Sequence, residues 1–219
     1  TAPATVYSIL MGALEVVFAD NFETDQGWTV TNTSLMTGAW ERGVPVGGGV
    51  RGDPATDYDG SGACFVTGNA YGDADVDGGP TRLISPTFDL SDGRYYQLSY
   101  ARWFYNDNQD IDRLTVEVST DGGATWTLLE SVEHTAGWFE QTIGLNDFVT
   151  PTAQVKVRFN AVDNPSKSIT EAAIDAVALR APTCVTPDGL GDLNCDGGLG
   201  FADINVFVLA LANMERYAA

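Results

Sequence analysis

From residue 5 to residue 179, short β-type segments follow one another, separated by Gly, Asp, Asn and Pro, and no helical periodicity occurs before residue 200. Residues 114–119 and 155–161 alternate apolar and polar side chains, which is typical of a strand with one buried face. The first of these segments leads through Asp121, Gly122 and Gly123 into residues 126–130. Because glycine accepts a positive φ, this connection predicts a β-hairpin.

Two further segments complete the β pattern, since residues 95–105 are long and aromatic-rich and residues 172–179 are apolar. About ten strands with turns at this spacing are typical of a two-sheet sandwich. We therefore predict an all-β fold, an antiparallel jelly-roll sandwich, for residues 1–181. Residues 182–191 contain Pro and Gly and are predicted to be a linker.

Residues 192–203 read DLNCDGGLGFAD and have the spacing of an EF-hand-type calcium loop. Gly197 stands at loop position 6, where the chain must turn sharply. The predicted ligands at positions 1, 3, 5, 7 and 12 are Asp192, Asn194, Asp196, the backbone carbonyl of Gly198, and Asp203. The alternative is an Asp- and Gly-rich surface loop that has this spacing by accident.

The segment after this loop is predicted to be a helix with Ile204, Phe207, Val208 and Leu211 on one face. An Asp at loop position 12 followed directly by an apolar helix resembles one repeat of a dockerin module, so residues 192–219 are interpreted as a dockerin-like half. The resemblance implies bound Ca²⁺ and, in a complete dockerin, a second repeat that covers the helix. No second repeat follows here, so the helix is expected to pack on the sandwich or on another molecule.

The charge of the chain limits its partners. There are 30 acidic and 11 basic residues, which give a formal net charge of −19. Binding to a polyanion needs a basic face, so nucleic acid is not expected as a partner, and an anionic membrane surface is disfavoured. The apolar runs are too short to insert into a bilayer. The many Asp and Gly residues suit loops that ligate hard cations, although solubility in an extracellular medium explains the same composition.

Three cysteines and the chain start bear on the compartment. The chain begins at Thr1 and has no recognisable signal peptide, so it is expected to be the mature part of a longer secreted precursor. Cys184 and Cys195 are candidates for a disulfide if the compartment is oxidising. Cys64 lies in an apolar run and is predicted to be a buried thiol. We therefore expect an extracellular location.

Residues 21–28 (NFETDQGW) and 171–179 (EAAIDAVAL) resemble the opening and closing strands of extracellular jelly-roll modules, including MAM-like domains and calcium-binding carbohydrate-binding modules. In those families the two segments lie side by side, and a glutamate from the first shares a structural Ca²⁺ with an aspartate from the last. The resemblance therefore implies Glu23 and Asp175 as metal ligands, with Asp20 as a third candidate. The alternative for Asp175 is a strand-edge residue that caps a backbone amide.

Two other loops are strongly acidic, at residues 53–59 and 73–77. Asp73, Asp75 and Asp77 stand at alternate positions, where their carboxylates repel one another unless a cation or water separates them. Both loops are candidates for further Ca²⁺ sites, and Asp73, Asp75 and Asp77 are spaced to converge on one ion, as in the first half of an EF-hand loop. The alternative is a solvated acidic loop, and the sequence does not fix which oxygens point inward.

Residues 119–126 (STDGGATW) fit the Asp-box pattern S-x-D-x-G-x-T-W. Asp-boxes recur in sialidase propellers, but a propeller needs several copies at regular spacing and only one is present. We therefore predict a local role, in which Asp121 caps the turn and Trp126 packs beneath it.

Aromatic residues of the long strand suggest a surface for sugars. Trp103 and Tyr105 share one face of this strand, and Tyr100 and Phe104 share the other. One pair must belong to the core, and Trp103 with Tyr105 is the candidate platform for stacking on a glycan. Catalysis has little support, because His134 is the single histidine and no Ser or Cys lies in a nucleophile-elbow context. We do not expect an enzyme.

Two functions are consistent with these patterns. The first is a secreted, non-catalytic, calcium-stabilised surface or adhesion module that binds a glycan or another cell-surface ligand. The second is a self-assembling subunit of an extracellular filament or surface layer, a homopolymer joined through a strand in residues 1–18 and the C-terminal helix. In the simplest alternative to assembly, both ends fold back on their own sandwich.

Overall fold

The computed structural model of this protein describes residues 14–107, 112–135, 137–164 and 168–182. The predicted linker, the calcium loop at 192–203, the helix after it and the pair Cys184 and Cys195 lie outside the described residues. The strands within them are β1 (Leu14–Asp20), β2 (Thr29–Asn32), β3 (Leu35–Thr37), β4 (Trp40–Gly43), β5 (Cys64–Thr67), β6 (Asp77–Ile84), β7 (Gln97–Asn106), β8 (Leu114–Ser119), β9 (Thr127–Val132), β10 (Phe139–Gly144), β11 (Lys156–Asp163) and β12 (Thr170–Pro182). One turn of 3₁₀ helix, Leu145–Asp147, follows β10.

The strands form two antiparallel sheets. In the first sheet the order is β10-β7-β12-β5-β4, with β1 also paired to β12. In the second sheet the order is β2-β6-β11-β8-β9, with β3 also paired to β6. The prediction of an all-β, two-sheet antiparallel sandwich is confirmed, and the arrangement agrees with a jelly roll.

The second sheet shows why alternation in the sequence predicts its strands. In β8 the inward side chains Leu114, Val116 and Val118 are buried, as are Val157 and Phe159 in β11. The two strands are neighbours, and Val116 lies opposite Phe159. Each such apolar side chain contributes about 1.5–3 kcal/mol by leaving water, so the inward face holds the sheet to the core while the outward face stays polar.

The core between the sheets is built from large side chains of both. The rings of Tyr100 from β7 and Phe159 from β11 meet edge to face, with 5.2 Å between their centroids. The largest fully buried side chains are Phe22, Leu83, Leu90, Tyr96, Leu98, Tyr100, Phe104, Leu114, Leu145, Phe159, Ile174 and Leu179. Tyr100 and Phe104 are thus the core pair of the long strand.

The first sheet is covered on both faces, because residues 44–63, between β4 and β5, cross its outer face. Beneath this loop lies a second apolar cluster of Cys64, Val66 and Ala173, against which Trp103 and Trp138 pack. A strand buried on both sides needs no polar alternation, and β5 and β12 are accordingly buried along almost their whole length. Cys64 is a free buried thiol, as predicted, and burial raises its pKa.

Strand β1 pairs with β12 of its own chain, from Leu14 opposite Pro182 to Asp20 opposite Val177. The self-assembly alternative includes residues 14–18 in the segment that engages a neighbouring molecule, and in the described structure these residues extend the sheet of their own chain. Residues 1–13 of that segment lie outside the described residues.

Among the described residues, no helix has the length and apolar content needed to cross a membrane.

Candidate calcium site

The loop of residues 44–63 is anchored to the outer face of the first sheet by two tryptophans. The indole Nε1 of Trp103 donates to the carbonyl of Gly52 at 2.7 Å, and that of Trp138 donates to the carbonyl of Thr56 at 3.1 Å. Gly52 has φ +93°, and a Cβ at this position would lie 2.2 Å from the ring of Tyr105. Only glycine allows the loop to approach the ring this closely.

Three carboxylates meet where this loop reaches β12. Asp57 and Asp59 come from the loop and Asp175 comes from the strand, and one ligand oxygen of each lies within 4.8 Å of the other two. Asp175 is fully buried, Asp57 is largely buried and Asp59 is exposed. The cluster therefore joins two segments that are more than a hundred residues apart in sequence, and one side of it is open to solvent.

Asp175 is held by the backbone on both sides. Its Oδ2 accepts a hydrogen bond from the amide of Tyr58 at 2.9 Å, and its Oδ1 accepts one from the amide of Ala176 at 2.7 Å. The strand is irregular here, because the register shifts after Asp175 and Ala176 has φ +49°. Burial, together with the nearby charge of Asp59, raises the pKa of Asp175 to about 6. A positive charge beside the carboxylate would therefore stabilise its ionised form.

Glu23 reaches the same region from the segment after β1. Its Oε1 accepts a hydrogen bond from the amide of Ala63 at 2.5 Å, and the preceding amide, of Gly62, donates to Oδ2 of Asp57 at 2.8 Å. Phe22, immediately before Glu23, has φ +61° although it is not glycine. Its fully buried ring packs against Phe65 and stabilises this conformation, which directs the next residue toward the loop.

The donor set fits a hard divalent cation. Asp57, Asp59, Asp175 and Glu23 offer only oxygen ligands, and Ca²⁺ prefers carboxylate oxygens, carbonyls and water. None of the ion pairs recorded in the described part of the chain involves these four residues. Arg42 reaches the segment of Glu23, but its recorded hydrogen bonds go to the carbonyls of Phe22 and Glu23 and not to a carboxylate. The charges of the cluster are therefore not balanced by a basic side chain.

Asp20, the third ligand implied by the family resemblance, has a different environment. Its Oδ1 accepts a hydrogen bond from the amide of Phe22 at 2.8 Å, and its Oδ2 accepts one from the indole Nε1 of Trp28 at 2.9 Å. Both oxygens are thus used to hold the turn that follows β1 and the tryptophan above it. The structure does not bring Asp20 into the three-carboxylate group.

The predicted site at Asp73, Asp75 and Asp77 contains a basic side chain. Arg51 Nη2 lies 2.6 Å from Oδ1 of Asp73 and 2.9 Å from Oδ1 of Asp75. Asp77 instead accepts a hydrogen bond from the hydroxyl of Thr37 at 2.9 Å. Two of the three carboxylates therefore converge on a guanidinium of the chain itself. A metal ion at these residues stays a prediction, and this geometry does not favour it.

Trp103 and Tyr105 share the outer face of the first sheet, as predicted, but the loop covers that face. Trp103 donates its indole hydrogen to the loop, and Gly52 lies against the ring of Tyr105. The ring of His134 also packs on Tyr105, with 5.0 Å between the ring centroids. Sugar binding by these two rings stays a prediction. In this structure they support the loop that carries Asp57 and Asp59.

Sequence reasoning named Glu23 and Asp175 but did not assign Asp57 and Asp59 as ligands. The acidic loop at residues 53–59 was recognised as a candidate for a further ion. Its course over the first sheet, and therefore the direction of its carboxylates, depends on Gly52 and on two tryptophans far away in sequence. The spacing Asp-x-Asp in that loop was the available signal.

Comparison with known proteins agrees with this architecture. The family model described as MAM domain, meprin/A5/mu, matches residues 21–185. No curated protein matches the chain in sequence.

Among solved structures, the K1 cleaved adhesin domain of Lys-gingipain from Porphyromonas gingivalis W83 is similar, with a TM-score of 0.52 and 16% identity over 77% of this chain and 98% of that one. The K3 cleaved adhesin domain of the same protein gives a TM-score of 0.51 and 14% identity over 75% and 98%. The CBM22-1 xylan-binding domain of Paenibacillus barcinonensis Xyn10C gives a TM-score of 0.47 and 12% identity over 80% and 99%. At these identities the likeness concerns the fold alone.

Proposed function

The chain belongs to the family of MAM domains (meprin/A5/mu), and from this premise we propose that it is a secreted, non-catalytic binding module whose sandwich is stabilised by Ca²⁺. The observation that carries the calcium part is the group of Asp57, Asp59 and Asp175, whose ligand oxygens lie within 4.8 Å of one another. Glu23 brings a fourth carboxylate to this region, since it accepts a hydrogen bond from the amide of Ala63 while the preceding amide, of Gly62, donates to Asp57. The ion would tie the loop to the last strand of the sheet.

The ligand of the module is a glycan or another cell-surface molecule. The gingipain domains that share the fold are adhesin domains by name, which motivates adhesion as the role. A non-catalytic role agrees with the environment of the single histidine, since His134 Nδ1 accepts a hydrogen bond from the amide of Asn106 and the ring packs on Tyr105. A histidine used in this way supports the strand rather than a reaction.

The C-terminal segment adds a second proposed ion. The spacing of Asp192, Asn194, Asp196 and Asp203 supports a calcium loop of dockerin type in residues 192–219. Cys184 and Cys195 are proposed to form a disulfide in an oxidising compartment. This segment would link the sandwich to another protein, and it binds its ion independently of the cluster at Asp175.

Isothermal titration of chelator-treated protein with Ca²⁺ tests the calcium part. We expect two classes of site in the wild type, and we expect Asp57→Asn with Asp59→Asn to abolish one of them. The matched control is Asp89→Asn with Asp147→Asn, which removes the same two charges from exposed positions where the aspartates bind Ser91 and Tyr95. If the Asp57/Asp59 variant binds as many ions as the control, the cluster is not a calcium site.

A glycan array, with the protein applied in millimolar Ca²⁺ and again in excess chelator, tests the binding part. Retention on a subset of glycans that weakens in chelator is the expected result. If the protein binds none of them in Ca²⁺, glycan recognition is rejected, and the search moves to protein ligands on cells.

Self-assembly into a filament or surface layer stays the alternative. Pairing of β1 with β12 uses residues 14–20 within one molecule, so assembly through the N-terminal side would depend on residues 1–13. Particle mass by light scattering in Ca²⁺ and in chelator separates the two proposals. Long polymers that dissociate in chelator would favour assembly over adhesion, and a monomer in both conditions would remove it.

A further inference from the structure

The outer face of the second sheet carries a groove of about 270 Å³, opposite the face that packs on the core. Its walls come from β2, β6, β11 and the hairpin between β8 and β9. This volume lies just below the range of about 300–1,000 Å³ that is usual for ligand pockets. Unlike the outer face of the first sheet, this face is not crossed by the loop of residues 44–63.

The strand register places three basic side chains on the groove. Lys156 and Arg158 alternate in β11 with the buried Val157 and Phe159, so both point outward. Arg82 points outward from the neighbouring strand β6, where Leu83 is buried. All three line the groove, and they bring three formal positive charges to one small surface.

This concentration of positive charge runs against the composition of the chain. Acidic residues outnumber basic ones by 30 to 11, yet the described lining of the groove includes three basic residues and no carboxylate. One acid touches it from the side, since Glu117 Oε2 lies 2.5 Å from Arg158 Nε. Arg82 makes a hydrogen bond to the hydroxyl of Thr33, and no ion pair to Arg82 or Lys156 is recorded among the described residues. The groove therefore keeps a positive excess.

An aromatic ring stands at the same groove and is held rigidly by the Asp-box. Asp121 accepts hydrogen bonds from the amide of Thr125 at 2.9 Å and from its hydroxyl at 2.6 Å, as the predicted turn cap. Trp126 donates from Nε1 to the carbonyl of Gly123 at 3.0 Å. The guanidinium of Arg158 lies over the ring at 4.2 Å from its centroid, a cation–π contact that fixes both side chains.

The chemistry of this lining selects an acidic sugar. An aromatic ring with fixed orientation gives a surface for the apolar face of a pyranose. Arginine and lysine donate hydrogen bonds and accept none, so they match a group that only accepts, and charge-assisted bonds to a carboxylate or sulfate are about twice as strong as neutral ones. The −19 charge of the whole chain disfavours a long polyanion such as nucleic acid, whereas an oligosaccharide with a few charges meets only the groove.

We propose that the groove between Trp126, Arg82, Lys156 and Arg158 is the glycan site of this protein, and that its ligand is an oligosaccharide bearing carboxylate or sulfate groups. The proposal rests on the proposed function, in which the module binds a glycan. The carboxylate or sulfate lies between Lys156 and Arg82, and the sugar ring contacts Trp126.

The test measures affinity for four compounds in millimolar Ca²⁺: trigalacturonate, a sulfated galactan trisaccharide, neutral galactotriose and oligothymidylate. The test variant is Lys156→Gln with Arg82→Gln. The control variant is Arg113→Gln with Arg180→Gln, which removes the same two charges elsewhere. Arg113 lies just before β8, at the strand end far from Lys156, and Arg180 lies in β12 of the first sheet, where it binds Ser99. Melting temperatures show whether each variant is folded.

We expect one of the acidic trisaccharides to bind, and its affinity to fall as ionic strength rises. The test variant should weaken binding by about 10- to 100-fold, while the control variant leaves it unchanged. Trp126→Phe should weaken it less than Trp126→Ala, because the phenylalanine keeps an aromatic surface. Comparing the uronate with the sulfated sugar identifies which anion the groove prefers.

Three results would overturn the proposal. If galactotriose binds as tightly as the acidic sugars and the test variant does not change this, the glycan function stands but the groove is not its site. If oligothymidylate binds as tightly as the acidic trisaccharides, the groove recognises charge rather than sugar. If no sugar binds here or on the array, both the groove and the glycan function are rejected.

Discussion

Replacing Asp175 by Asn should reverse the order of stability between wild type and variant when Ca²⁺ is added. Burial raises the pKa of this carboxyl to about 6 from an ordinary value of 3.8. One pKa unit corresponds to about 1.36 kcal/mol, so without a cation the ionised carboxylate costs the folded state about 3 kcal/mol at neutral pH. The folded state holds the proton more tightly than the unfolded state, so stability in chelator should fall as pH rises from about 4 to about 6.

Asn removes this cost but also loses a hydrogen bond. Both oxygens of Asp175 accept backbone amide hydrogens, from Tyr58 and from Ala176, and an amide group offers only one acceptor. The loss is about 1 kcal/mol. In chelator at pH 7.5 the variant should therefore be more stable than wild type by about 1–2 kcal/mol, which raises Tm by about 3–6 °C for a domain of this size.

Added Ca²⁺ should act only on the wild type at this site. At a concentration a hundredfold above the dissociation constant, binding stabilises the folded state by about 2.7 kcal/mol, or about 5–10 °C in Tm. The assay is thermal unfolding with and without Ca²⁺ at pH 5.0 and 7.5. Both proteins carry Asp196→Ala, which removes the proposed contribution of the loop at 192–203, and Asp89→Asn is the matched control.

The reasoning is refuted if Asp175→Asn shows the full calcium-dependent rise in Tm, since the ion then binds without this carboxylate. If the variant is less stable than wild type in chelator at pH 7.5, burial of the ionised Asp175 carboxylate does not cost the folded state the free energy assigned to it. Equal calcium effects at pH 5.0 and 7.5 in the wild type would likewise contradict a carboxyl that titrates near pH 6.

The other predictions concern separate parts of the chain. Burial raises the pKa of Glu171 to about 8, so Glu171→Gln should stabilise the protein by about 2–4 kcal/mol at pH 8 and by little at pH 4.5 in chemical denaturation, and an equal effect at both would contradict this. Gly52→Ala should lower Tm by several degrees, because its Cβ would meet the ring of Tyr105. Gly60→Ala, also at positive φ but in open space, should lower Tm less, and equal losses would mean that backbone strain alone accounts for the destabilisation. Asp196→Ala should make the C-terminal segment easier to cleave by protease in Ca²⁺, and unchanged protection would show that the loop assignment is wrong.

The strands that the sequence predicts well are those with one buried face. Residues 114–119 coincide with β8, and residues 155–161 nearly coincide with β11, because period-two alternation survives where one face is polar. Strands β2, β3 and β4 have three or four residues each and lie among Gly, Asp and Asn, so no alternating run marks them. Their positions depend on pairing with β5 and β6, which is a tertiary effect.

The candidate site was predicted in part. Glu23 and Asp175 followed from short motifs at the two ends of the domain, and the structure places both near the cluster. Asp20 was a third candidate; in the structure it caps the amide of Phe22, two residues further along, and a metal role for it stays a prediction. Asp57 and Asp59 depend on the path of a long loop, which is set by contacts with Trp103 and Trp138.

The Asp-box illustrates a prediction that was correct locally but incomplete. The turn is capped by Asp121 as expected, and the indole of Trp126 is bonded to the same hairpin. What the sequence alone did not reveal is that Arg158, on another strand, stacks on this ring, since that contact requires the sheet order β6-β11-β8.

The loop of residues 44–63 meets two groups of carboxylates, and the two groups differ in the source of the positive charge that would balance them. Near Gly52 the positive charge is the guanidinium of Arg51, which pairs with Asp73 and Asp75. Because it belongs to the chain, it does not depend on the medium. Near Asp57 the proposed positive charge is a dissolved Ca²⁺ ion, so under this proposal it depends on the surroundings. In a calcium-poor medium, one half of the loop should therefore stay closed while the half over Trp138 opens. The domain would then report the calcium content of its medium at one edge while its core stays folded.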